Sequence, residues 1–155
     1  MPDNQLVWSD VENLLHKWLK ERQELIMLFC AINGLSDFTP KQTPISVKVE
    51  AFCEILVDYV SAGHFEVYQK LILEGQLFKD GPSLELASTL SHPLQLTTQY
   101  ILEFNDLYTN QAEFDLHADE LTKRLSKLGE VLEERFELED QLIEALHHSH
   151  KGQVA

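Results

Sequence analysis

Glycine and proline are scarce in this 155-residue chain, at six and five residues. That scarcity, beside many Leu, Glu, Lys and Gln, favours long helices over the turn-rich pattern of a sheet protein. Cysteine is scarcer still: Cys30 and Cys53 show no CxxC spacing, and no third or fourth thiol is there to complete a metal site. Both lie in apolar helical stretches and are expected to be reduced core residues. No apolar run approaches the roughly 20 residues needed to span a bilayer. The opening MPDNQLVWSD carries acids where a secretory leader would be positive, so the expected location is the cytoplasm, away from membranes. Positive charge is also in deficit, with 12 Lys and Arg against 26 Asp and Glu and a formal charge of −14. This counts against direct nucleic-acid binding and fits a basic protein surface as partner. Finally, there is no GxSxG, no phosphate-cradling glycine loop and no lone cysteine with an evident base, so no enzyme is expected.

What the chain does have is helical periodicity. With 44% hydrophobic residues its length suits one compact domain over residues 1–155. Asn4 or Ser9 is positioned to cap a first helix whose Val7, Val11, Leu14, Trp18, Leu25, Phe29 and Ile32 fall at three- and four-residue steps. Gly34 suits its C-terminus, and Pro40 and Pro44 make 34–44 a loop. A second helix over roughly 46–60 carries Val49, Phe52, Ile55, Leu56, Tyr59 and Val60 on one side. Ser61-Ala62-Gly63 then interrupts it, and a third helix follows from His64 to Leu77. Gly81 and Pro82 break the chain, 83–92 is ambiguous, and Pro93 is placed in the first turn of a helix running past Tyr108. The longest helix starts at Glu113, with Leu121, Leu125, Leu128, Leu132, Phe136, Ile143 and Leu146 in step. The tail from 147 to 155 is expected to fray. The expected fold is all-α, like a four-helix bundle with long antiparallel helices and one or two short extra ones.

Charged residues on apolar stripes need partners, because an unpaired buried charge costs several kcal/mol. Arg22 lies between Trp18 and Leu25, Glu139 between Phe136 and Ile143, Asp58 three residues after Ile55, and His64 just after the break. Arg22, Asp58, His64 and Glu139 are therefore expected to meet in one buried polar cluster, either fixing helix register or forming a partner pocket. Phe65 is expected in the core and Tyr68 nearer the surface. Glu144 and His147 make one Glu-x-x-His, the spacing of di-iron bundles, but a di-metal site needs two such motifs. A metal-binding bundle would require Glu139, Glu144, His147, Asp58 and His64 to converge. That stands as the alternative, with no metal or other cofactor in the leading reading.

The run FCEILVDYVSAGHFEVY at 52–68 closely resembles the central signature of the Rsd/AlgQ family, the regulators of sigma D. WLKER at 18–22 and LGEVLEERFELEDQLI at 128–143 resemble two further family segments, whereas 78–116 matches loosely. The resemblance implies a helical anti-sigma factor that binds region 4 of the housekeeping sigma factor. By doing so it would block that region's contacts with core RNA polymerase and the −35 promoter element. Carried over from the matching stretches, the candidate partner-binding residues are Trp18, Arg22, Asp58, Ser61, Gly63, His64, Phe65 and Tyr68. An acidic adaptor for some other basic protein remains open beside it.

Overall fold

The computed structural model describes residues 3–35 and 45–154. Four long helices make the frame: α1 (Asn4–Leu35), α2 (Ile45–Ala62), α4 (Gly81–Tyr108) and α6 (Leu121–Leu146). The short helices α3 (Tyr68–Leu77) and α5 (Gln111–His117) complete it, and no strand occurs among the described residues. Contacts along the helices set their directions. Trp18 meets Tyr59 and Phe29 meets Phe52, so α1 and α2 are antiparallel. Trp8, Arg22 and Phe29 of α1 meet His147, Glu139 and Gly129 in turn, so α1 also opposes α6. Arg135 and the Arg124 backbone of α6 reach Thr97 and Tyr100, which sets α4 antiparallel to α6.

The apolar stripes make the core as periodicity demands. Val11, Trp18, Leu25 and Ile32 of α1, Val49, Phe52, Leu56 and Tyr59 of α2, and Leu121, Leu125, Leu128, Leu132, Ile143 and Leu146 of α6 are all buried. Cys53 joins them, its thiol pushed up to about 12 by burial and then by Glu50. Cys30 does not: it is exposed, because its position on α1 faces away from the Leu25–Ile32 stripe.

Several boundaries differ from the sequence expectation. Asp3, not Asn4 or Ser9, accepts the Gln5 backbone N–H at the start of α1, at 2.9 Å. The loop expected at 34–44 lies almost wholly outside the described residues. Ser61-Ala62-Gly63 does not end the second helix. Gly63–Val67 instead forms a π-helical turn, in which the Tyr68 N–H bonds the Gly63 carbonyl, and the chain continues directly into α3. The break before α4 falls at 78–80, where Lys79 takes φ 55° and the Asp80 carboxylate caps the helix through the Ser83 N–H at 3.1 Å. Pro82 occupies the first turn of α4, and Pro93 sits within the helix rather than at its start. The long C-terminal helix expected from Glu113 is divided, because α5 passes through a 3-10 turn at Ala118–Glu120 before α6 begins. In place of the expected frayed tail, His148–Gln153 forms a 3-10 turn with His150 buried.

Candidate functional site

At the middle of the bundle Glu139 is fully buried, and four groups from four elements converge on its carboxylate. Tyr59 of α2 donates to Oε1 at 2.5 Å, Tyr68 of α3 donates to Oε2, and Arg22 of α1 reaches Oε1 at 3.2 Å. Arg135, one helical turn earlier on α6, places Nε 3.3 Å from Oε2. Arg135 is itself fully buried. Its Nη1 donates to Thr97 Oγ1 at 3.0 Å and Thr98 Oγ1 at 2.7 Å, and its Nη2 to Tyr68 at 3.0 Å. Arg22 also pairs with the exposed Asp140 at 2.7 Å and lies over the Phe136 ring, 4.8 Å from its centroid. Burial, and then the Glu139 charge, hold both phenols far above their ordinary values, so Tyr59 and Tyr68 stay protonated donors.

This centre supports the signature segment. Trp18 stacks on Tyr59 at 4.7 Å, and its indole N–H donates to the Tyr59 carbonyl at 3.1 Å. The π-turn lies directly over that indole. A Cβ on Gly63 would come within 2.9 Å of Trp18 Cζ2, so only glycine allows the approach. The eight candidate partner-binding residues therefore divide. Trp18 and Gly63 are buried, Arg22, Ser61 and Tyr68 are half-buried, and Asp58, His64 and Phe65 are exposed.

Two expectations fail here. Asp58 and His64 are absent from the polar cluster, Asp58 lying ahead of the π-turn on the outward face of α2. Phe65 is 66% exposed, seven residues after Asp58 and on the same outward side, whereas the extra residue taken in by the π-turn swings Tyr68 inward to Glu139. Arg135 and Tyr59 were missed as partners of Glu139. Arg135 was within reach of the pattern, since it lies three residues after Leu132 and four before Glu139, on the buried stripe itself. The metal-binding alternative also fails geometrically: Glu139 is held by arginines and tyrosines, His147 lies against Glu74 and Glu12, and Asp58, His64 and Glu144 are exposed.

Two features of the surface stand out. Along α2, Glu50, Glu54 and Asp58 repeat at four-residue spacing and are all exposed, with half-exposed Val47 before them and Phe65 beyond. Between the π-turn, α3 and α4 runs a groove of about 680 Å³, lined by His64, Tyr68, Gln69, Leu94, Thr98 and Gln99 among others.

Residues 3–147 match the family described as regulator of RNA polymerase sigma(70) subunit, Rsd/AlgQ. The chain belongs to the Rsd/AlgQ family. Named relatives agree across most of their length. A "Regulator of sigma D" of Yersinia pseudotuberculosis is 39% identical over 132 residues, covering 84% of this chain and 78% of the relative. Another from Yersinia enterocolitica is 40% identical over 134 residues, with the same coverage. One from Pectobacterium atrosepticum is 33% identical over 138 residues, covering 86% and 88%. The Rsd/AlgQ family is defined by regulation of a sigma subunit and not by a reaction, and the helical fold agrees with it. No helix among the described residues is long and apolar enough to cross a membrane.

Proposed function

We propose that this chain is a cytoplasmic anti-sigma factor that binds region 4 of the housekeeping sigma factor and blocks its contacts with core polymerase and the −35 element. The exposed row Glu50, Glu54 and Asp58, ending at Phe65, is the observation that carries this reading. A helix-turn-helix that reads DNA presents Lys and Arg, and a row of carboxylates attracts them. A projecting aromatic then supplies the anchor. In this reading Asp58, His64 and Phe65 touch the partner, with Ser61 at their edge. Trp18, Arg22, Gly63 and Tyr68 act beneath them by fixing the π-turn. The role is binding, needing neither nucleic acid nor a cofactor.

Titration calorimetry against isolated region 4 tests it directly. The expected result is a saturable one-to-one complex that weakens with added salt and weakens by about 2 kcal/mol or more in Phe65→Ala, while the variant melts like the parent. Absence of any complex at the highest soluble concentrations would overturn the choice of partner. Full binding by Phe65→Ala would overturn the choice of surface.

A further inference from the structure

The C-terminal turn is held by an arrangement that the sigma-binding reading does not use, and His150 lies beyond the stretch matched to the family. Glu74 of α3 is fully buried, and both of its oxygens face imidazoles: Oε1 is 2.6 Å from His147 Nδ1, and Oε2 is 2.6 Å from His150 Nδ1. The far nitrogen of each ring faces a second carboxylate. His147 Nε2 lies 3.2 Å from Glu12 Oε2 of α1, and His150 Nε2 lies 2.8 Å from Asp80 Oδ2, the cap of α4. A neutral imidazole has one N–H and one lone pair, so between two ionised carboxylates one of its contacts would set lone pair against lone pair. Only the imidazolium donates on both sides.

The ring faces agree. Trp8 stacks on His147 at 4.5 Å and donates its indole N–H to the His147 carbonyl at 3.1 Å. Phe78 stacks on His150 at 4.4 Å. Aromatic faces favour a cation over a neutral ring. Two histidine rings thus fasten the turn at His148–Gln153 to α1, α3 and the start of α4.

We propose that this turn is a pH-operated latch, closed while His147 and His150 are both protonated and released when they lose their protons. The surrounding charges favour the closed state. For His147, burial works against the charged form, but the hydrogen bond and charge of Glu74, followed by those of Glu12, outweigh it and raise its pKa. Asp80 is held below the usual carboxylate range, chiefly by the Ser83 hydroxyl, and so remains an anion. The other groups nearby are peripheral. His16 pairs with Glu12 at 3.7 Å, His148 pairs with Glu144 at 3.0 Å, and Lys79 and Lys151 are exposed. A histidine whose folded pKa is raised stabilises the fold fully below its ordinary value and ceases to do so as pH rises through the folded value. The latch therefore closes in acid and opens toward alkali. Opening uncovers Glu74, Phe78 and Trp8 at one end of the bundle.

The test combines ring-nitrogen NMR of the histidines with amide hydrogen exchange in the full chain, followed from about pH 5 to about pH 9. Below the transition both rings should carry two N–H groups, and the His150 amide, bonded to the His147 carbonyl at 3.0 Å, should be protected. Above it, protection corrected for intrinsic exchange should fall roughly tenfold or more, with the same midpoint as the rings. Glu74→Gln removes the buried anion and should move that midpoint downward. Should this variant fail to fold, Glu12→Gln serves instead, because its amide can donate to a neutral ring. It should keep the turn docked while lowering the pH at which His147 deprotonates. In the unsubstituted chain, rings that are neutral while the turn stays protected, or protection that does not change as the rings titrate, would overturn the latch.

Discussion

Glu139 and Glu74 are both fully buried carboxylates on apolar helical faces, and each is met by two basic side chains, yet the bases differ in kind. Arg22 and Arg135 hold Glu139, and guanidiniums keep their charge at any pH a protein survives. For Arg22, burial is outweighed by Tyr59, Asp140 and Glu139, which together raise its pKa. His147 and His150 hold Glu74, and imidazoles surrender their charge near neutrality. The same solution to the problem of a buried anion is thus a permanent brace in the centre of the bundle and a conditional fastening at its end. The permanent one lies beneath the signature segment, where the position of Phe65 depends on it.

Removing the brace should have the largest effect. Glu139→Ala leaves Arg135 buried without its counter-charge and should lower unfolding free energy by on the order of 3–5 kcal/mol, measured by urea denaturation near neutral pH. A smaller loss comes from crowding the layer above it. Gly63→Ala drives a methyl against a Trp18 ring already fixed by stacking and a hydrogen bond, for a loss of about 1–3 kcal/mol and weaker partner binding in calorimetry. Next is the dependence on pH. Because the folded pKa of His147 is raised, unfolding free energy should decline as pH rises through that value, by about 1.4 kcal/mol for each pKa unit separating folded from unfolded chain. Denaturation at a series of pH values should show this slope in the parent and lose much of it in Glu74→Gln, whereas Phe65→Ala should leave it intact. The smallest effect belongs to Asp58→Ala. An exposed residue outside both clusters should change stability by no more than about 0.5 kcal/mol, so a loss of sigma binding with an unchanged melting curve would assign Asp58 to the interface.

Much of the frame was legible, because a three- and four-residue apolar step has only one physical interpretation over thirty residues. It located α1, α2 and α6 and brought Trp18, Arg22 and Glu139 to a common seam. Long-range pairing was harder to read. Arg22 and Glu139 are 117 positions apart, and periodicity says that each faces inward without saying which acid meets which base, so Asp58 and His64 were drawn into a cluster they do not join. The π-turn was invisible for a different reason. Its Gly63 has the look of a chain break, and nothing in composition separates a helix that stops from one that takes in an extra residue. Pro93 misled similarly, since proline marks a helix start more often than it is tolerated inside one. The histidine tail was the plainest failure of a local reading. HHSHKGQVA lacks apolar residues until its end, and only the fold supplies the carboxylates and aromatic faces that make burying it favourable.

The π-turn also sets how far the length of its own segment can change. Each residue advances a helix by about 100°, and the turn takes in one extra residue, so deleting one position within 63–67 would let an unbroken α-helix run from α2 into α3 with the later side chains close to their present directions. Tyr68, Leu71 and Glu74, which face inward at present, would go on facing Glu139, the core and the histidines. A second deletion has no extra residue to draw on and would turn all three away by about 100° in a single step, so this solvent-facing stretch has room to lose one residue and no more.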